Sequence, residues 1–309
     1  MQGIEIAKAY WEQYGRPAIE EQFPELMKYI AVGLVGSGSE CYGFDDELSR
    51  DHDFGPGFCI FLPGEDIVDR HSEFLLERAC SRLPREFMGT RRELMNPAGG
   101  NRCGVFRTDE WYRGKTGIPG APSGWRDFIP LPDYALAEVT NGEVFLDEYG
   151  EFSSIRRAWQ EPPEDYVSKK ICGALISMSQ SGEYNYPRCR RRGDLAAAHL
   201  CADEFVKAAI TAVMWSCERP VPYYKWSFRA LRELEKEKGL PMISEALEEI
   251  FYTKDISELI KKVSKDILQG LKSEERIPQG PEDLQSAALW LDNSIKDAEL
   301  RNLSPLAAV

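Results

Sequence analysis

The sequence predicts a mixed α/β (α+β) domain with a small mixed sheet over residues 1–150, followed by an all-helical domain over residues 151–309. Three observations predict it. Short apolar runs closed by glycine or proline, the mark of buried strands, punctuate the first half. Helical periodicity fills the second. The charge also changes: residues 1–150 carry 15 basic and 26 acidic side chains, a net of −11, and residues 151–309 carry 23 and 25, a net of −2.

The elements follow in order. Ile19, Phe23, Leu26, Met27 and Ile30 fall at helical spacing and predict an amphipathic helix over residues 17–30. Ile30–Val35 reads as a strand, and a polar loop runs on to Arg50. Phe58–Leu62 is a second apolar run that stops at Pro63-Gly64. A helix is expected over residues 65–83, a third strand at Gly104–Thr108, and a fourth strand or hairpin arm at Glu143–Leu146. Residues 114–125 are rich in Gly and Pro and read as a loop. Gly114-Lys115-Thr116 ends like a phosphate-binding P-loop, but Glu110 stands where that motif needs glycine. Helices are expected over residues 164–180, 194–217, 224–238, 242–252, 255–272 and 281–301, with Asp194 after Gly193 as an N-cap.

Composition narrows the function classes. With 43% hydrophobic and 29% charged residues, the 309-residue chain is an ordinary globular one. No stretch approaches the roughly 20 apolar residues that span a bilayer, so no membrane partner is expected. The start, MQGIEIAKAYWEQYG, lacks the pattern of a signal peptide, and the expected location is the cytoplasm. Eight scattered cysteines, without a CxxC, read as free thiols in a reducing compartment. A net charge of −13 argues against a long nucleic-acid partner, which would need excess Lys and Arg.

The informative stretch is residues 33–62. An apolar strand runs into Gly38-Ser39, Gly43 follows, and Asp51-His52-Asp53 precedes the next apolar run. Side chains two apart on a strand share a face, so Asp51 and Asp53 can present paired carboxylates. Such a pair repels itself unless a cation neutralises it, and Mg²⁺ (or Mn²⁺) suits hard oxygen ligands. Gly38-Ser39 offers backbone N–H groups and a hydroxyl to a phosphate oxygen. Read without that context, the pair is a solvated turn.

Gly-Ser, a glycine four residues beyond the serine, then Asp-x-Asp entering a strand resembles the nucleotidyltransferase (polymerase-beta-like) superfamily. The stretch Ser49-Arg50-Asp51-His52-Asp53 with Gly55-Pro56-Gly57-Phe58 is similar to a bacterial nucleotidyltransferase-like family known only as a domain of unknown function. Thr140-x-Gly142-x-Val144-Phe145 with Asp147, Gly193-Asp194, and Pro222-Tyr223-x-Lys225-Trp226 fit the same family. The resemblance spans roughly residues 30–230. It implies a nucleotidyltransferase-like first domain that moves a nucleoside monophosphate from a nucleoside triphosphate to an unidentified small-molecule or protein acceptor. Asp51 and Asp53 would be catalytic metal ligands, and Gly38 and Ser39 would seat the phosphates. Active members commonly carry a third carboxylate on a later strand. The expected strand here, Gly104–Thr108, offers only Arg107, with Asp109 and Glu110 just beyond as candidates.

The helical half adds Arg188, Arg190, Arg191 and Arg192, the one dense basic cluster. Arg190 and Arg192 are candidate triphosphate clamps, since guanidinium forks match phosphate; the same cluster also reads as a solvated loop. Tyr224 and Lys225, beside Tyr223 and Trp226, are candidates for base or sugar and for phosphate, or are plain packing. Asp194 reads as a cap or a general base. His52, His71 and His199 read as structural, and Asp45, Asp46 and Glu47 as a solvated run. The alternative function is a catalytically degenerate nucleotide-binding or regulatory, toxin–antitoxin-like module of the same fold.

Overall fold

A helical rod opens the chain: α1 (Gly3–Tyr10), a wider stretch at Trp11–Gly15, then α2 (Arg16–Gln22). The helix expected over residues 17–30 is thus the end of a longer one, and it stops early. Phe23 precedes Pro24, whose ring disfavours the helical region for its neighbour, and Phe23 leaves at φ −141°, ψ 51°.

The computed structural model describes residues 2–50, 54–92 and 102–309. Asp51 and Asp53, the expected metal ligands, lie outside the described residues, as does His52.

After the rod come β1 (Ala31–Leu34), β2 (Cys59–Leu62), α3 (Arg70–Ser81), a small hairpin of β3 (Glu86–Phe87) and β4 (Thr90–Arg91), and β5 (Gly104–Arg107). Then follow α4 (Thr108–Thr116), α5 (Trp125–Phe128), α6 (Asp133–Thr140), β6 (Glu143–Asp147) and α7 (Glu151–Gln160). Asp69 caps α3 by accepting from the Ser72 amide at 2.7 Å. Gly114-Lys115-Thr116 is the last turn of α4, closed by Gly117 in the left-handed region.

The main sheet has the order β5-β2-β1-β6 and is mixed: β1 is antiparallel to both neighbours, and β2 is parallel to β5. Alternation sorts its faces. Ile60, Leu62, Val32 and Val105 join Tyr10, Trp11 and Leu76 in one core. Phe61 turns the other way and stacks on Phe152 of α7 at 4.0 Å, with the Trp111 ring edge-on at 5.3 Å.

Helices α8 (Glu164–Met178), α9 (Tyr186–Arg192), α10 (Leu195–Ser216), α11 (Tyr224–Lys238), α12 (Ile243–Glu249), α13 (Ser257–Ser273), α14 (Leu284–Ser294) and α15 (Ala298–Asn302) complete the chain. Among the described residues no strand follows β6. The span expected as one helix over residues 281–301 is α14 and α15, separated by an extended Ile295. Asp194 caps α10 by accepting from the Ala197 amide at 3.0 Å, and Gly239 ends α11 in the left-handed region.

The chain forms two compact units, one of residues 1–122 and 135–161, the other of residues 123–134 and 162–309. Composition placed the change after residue 150; α7 belongs with the sheet unit, and residues 123–134 belong with the helices. In the helical unit, α8 is buried along most of its length. Its Lys169 reaches Asp292 at 2.8 Å and the Leu303 carbonyl at 2.9 Å. Lys170 pairs with Asp133 at 2.6 Å, and the Trp215 indole N–H donates to the same carboxylate at 2.8 Å. Among the described residues no helix is long and apolar enough to cross a membrane.

Candidate functional site

Strand pairing fixes one end of the sheet. Gly33 near the end of β1 faces Cys59 at the start of β2, Cys59 faces Gly104 at the start of β5, and Leu34 faces Glu143 at the start of β6. The loop leaving β1, which carries Gly38 and Ser39, therefore shares an edge with the beginnings of the other three strands. Gly33 is required there, because an added Cβ would lie 2.5 Å from the Glu143 carbonyl oxygen.

The loop itself is a sharp turn. Gly38 sits at φ +125°, ψ 148°, and Ser39–Tyr42 close a single tight helical turn behind it. Among the described residues, the amide N–H groups of Gly38 and Ser39 meet no acceptor. The Ser39 hydroxyl lies 3.4 Å from Glu40 Oε2. Glu40 is buried, and Arg102 Nη2 donates to the same oxygen at 2.7 Å while Arg102 Nε donates to the Ser37 carbonyl at 3.1 Å. The guanidinium lies across Gly38: a Cβ there would be 1.7 Å from Nη2. On the other flank, Asn141 Nδ2 donates to the Gly36 carbonyl at 2.7 Å and Oδ1 accepts from the Gly36 amide at 2.8 Å. Arg156 donates to the Asn141 and Gly142 carbonyls, and burial lowers its pKa. Lys8 pairs with Glu143. Beneath the loop, burial pushes up the Cys41 thiol, and a hydrogen bond with Cys103 together with burial raises Cys59.

The third carboxylate fares differently from expectation. β5 is the expected strand, directly beside β2, and Arg107 is its charged residue. That arginine is buried; it donates to Glu73 at 2.8 Å and to the Pro63 carbonyl at 2.7 Å. Asp109 and Glu110 follow the far end of β5, opposite the Gly38-Ser39 edge, and are paired with Arg113 and Arg70. They are not companions of Gly38 and Ser39, because parallel pairing puts them past the wrong end of the strand. Asp147 also lies at that far end, facing Ala31, and accepts from the Gly150 and Ser153 amides at 2.8 and 2.7 Å.

In the helical unit, Arg188 stacks on the Tyr184 ring at 3.7 Å, and Arg190 helps hold Asp255 below the usual carboxylate range, where hydrogen bonds from Ser257 chiefly put it. Arg191 and Arg192 are exposed. Tyr224 is 75% exposed; its ring lies 4.4 Å from that of Tyr223, which meets Tyr134 edge-on at 6.2 Å. Lys225 Nζ stands 5.1 Å from the Trp226 ring. Among the described residues no hydrogen bond or ion pair joins Arg190 or Arg192 to Tyr224 or Lys225. Asp194 serves as the helix cap.

Glu40, Arg102 and Asn141 are the members of the loop's surroundings that the sequence did not announce. They meet Gly36–Ser39 from up to 105 residues away, and nothing local marks them.

A family model described as a domain of unknown function (DUF4037) matches residues 128–227. The matched stretch takes in α6, β6, the helices through α10 and the first turn of α11, and leaves out the Gly38-Ser39 loop. No curated protein matches the chain.

Proposed function

We propose that the chain is a metal-dependent nucleotidyltransferase that moves a nucleoside monophosphate from a nucleoside triphosphate to a small-molecule or protein acceptor. The observation that carries this reading is the sheet edge, where the amides of Gly38 and Ser39, which meet no acceptor among the described residues, stand beside the start of β2. In sequence, Asp51-His52-Asp53 lies just ahead of that strand. Loop N–H groups and the Ser39 hydroxyl would receive phosphate oxygens. Two carboxylates form a hard-oxygen donor set that suits Mg²⁺ or Mn²⁺. Bound by Asp51 and Asp53, the cation would neutralise charge on the triphosphate. Arg190, Arg192, Tyr224 and Lys225 are the proposed contacts of the helical half, as forks for phosphate and a ring for the base.

The test is incubation with each common nucleoside triphosphate, labelled at the α-phosphorus, with Mg²⁺ or Mn²⁺ and a panel of hydroxyl and amine acceptors. Metal-dependent release of pyrophosphate with transfer of label is expected. Absence of pyrophosphate with every triphosphate removes the enzyme reading.

One observation favours the second reading, a catalytically degenerate nucleotide-binding or regulatory module. β5, the expected strand for a third carboxylate, carries none, and its one charged residue is the buried Arg107 at the end away from Gly38-Ser39. Triphosphate binding without turnover would separate the two.

A further inference from the structure

Glu40 Oε2 gathers two donors at once, Arg102 Nη2 at 2.7 Å and the Ser39 hydroxyl at 3.4 Å. Both face the loop whose Gly38 and Ser39 amides meet no acceptor among the described residues. The two partners differ in exposure: the Arg102 side chain is 24% exposed and that of Glu40 8%. One oxygen of an internal carboxylate thus takes the hydrogen bonds that an arriving anion would want. Arg102 also donates through Nε to the Ser37 carbonyl at 3.1 Å, which leaves its Nη2 end turned to Glu40. Its guanidinium carries five donors in a rigid fork and lies across Gly38, which has no side chain to stand between it and the loop backbone.

We propose that Arg102 is the polyphosphate-binding side chain of the Gly38-Ser39 loop, and that Glu40 is an internal anion that holds Arg102 and Ser39 until a phosphate chain displaces it. The idea rests on the triphosphate reading above and names the residues that read the anion. Binding is then an exchange of acceptors: the Arg102 fork and the Ser39 hydroxyl leave Glu40 Oε2 for phosphate oxygens, with no bond made or broken. The buried carboxylate sets a threshold, since a weak or singly charged anion would not outcompete it. A polyphosphate, with several oxygens for the loop amides and the fork together, would.

The test is calorimetric titration of the full chain with inorganic tripolyphosphate and with ATP, each with Mg²⁺. Glu40→Gln removes the competing charge and is expected to tighten tripolyphosphate binding about tenfold. Arg102→Ala should weaken it by about tenfold or more, and the double variant should behave like Arg102→Ala. Should Glu40→Gln not fold, Glu40→Asp withdraws the oxygen by one methylene and is expected to tighten binding in the same direction. A folded Glu40 variant that binds no better, or an Arg102→Ala protein that binds as wild type does, overturns the inference while leaving the nucleotidyltransferase reading intact. A wild type that binds neither ligand sinks both.

Discussion

Asn141 brackets a single residue, donating to the Gly36 carbonyl and accepting from the Gly36 amide across 105 residues of sequence. Gly36 lies at φ +102°, so the side-chain amide secures a backbone conformation that the loop does not hold by its own turns. Asparagine alone of the small side chains offers a donor and an acceptor at this spacing. Asn141→Asp keeps the shape and loses the donor. It is expected to cost about 1–2 kcal/mol in urea unfolding, with Asn141→Ala similar, because either leaves a backbone group unpaired. Unchanged stability in both would show the bracket to be incidental.

Arg107 predicts a larger loss. Its guanidinium ties β5 to Glu73 of α3 and to the Pro63 and Val68 carbonyls. Arg107→Met is expected to cost about 3 kcal/mol, since it leaves a partly buried carboxylate and two carbonyls short of donors. Urea melts monitored by circular dichroism measure it, and a cost below about 1 kcal/mol would mean that solvent replaces the arginine readily.

Asp51 and Asp53 give the sharpest separation of a functional pair from a structural one. Two close carboxylates repel when no cation is bound, so Asp51→Asn or Asp53→Asn should leave the melting temperature unchanged or slightly raised. The stabilisation that Mg²⁺ with a nucleoside triphosphate gives the wild type should disappear. Destabilised variants that keep the full ligand-induced shift would assign the pair to the scaffold.

Acid should unpick three helix starts. Hydrogen bonds from Ser72 hold Asp69 below its ordinary value of 3.8, those from Ser257 do so for Asp255, and those from Leu300 and Trp125 for Asp297. A carboxylate with a depressed folded pKa stabilises above its unfolded value, and that stability fades as the pH falls through the folded one. Wild-type stability should therefore decline from about pH 4 downward. A triple variant with Asn at these three positions should decline less steeply over the same window. Identical slopes would mean that the three carboxylates titrate alike in both states.

Thiol chemistry reports on burial. Burial pushes the Cys80 and Cys172 thiols up to about 12. Both should resist alkylation by iodoacetamide at about pH 8 in the folded protein and react in urea. Peptide mass spectrometry reads each site, and rapid labelling of either before unfolding contradicts the packing described.

Much of the framework was legible where burial is local. Ile30–Val35 and Phe58–Leu62 announce two neighbouring strands because each run is apolar and punctuated. Tyr224–Lys238 is bounded in sequence as in space, because Gly239 ends it. The start of the chain was less legible. Gly15 interrupts the pattern of the rod, yet it packs tightly, since a Cβ there would lie 2.6 Å from the rings of Phe58 and Trp11. The loop's surroundings were the least legible part. Glu40, Arg102 and Asn141 acquire meaning only through pairing across 62 and 105 positions, and no periodicity records such distances.

Each unit is written in the chain as two separate stretches, and the first returns at residue 135 after giving up residues 123–134 to the other. A gene cut once therefore never separates the two cleanly: a fragment that encodes one unit whole also carries a stretch of the other. Recombination that exchanged only the upstream part would deliver a sheet without β6 and without Asn141, the residue that secures the loop. Inheritance of either unit as an independent module requires that both of its stretches travel together or be rejoined in permuted order.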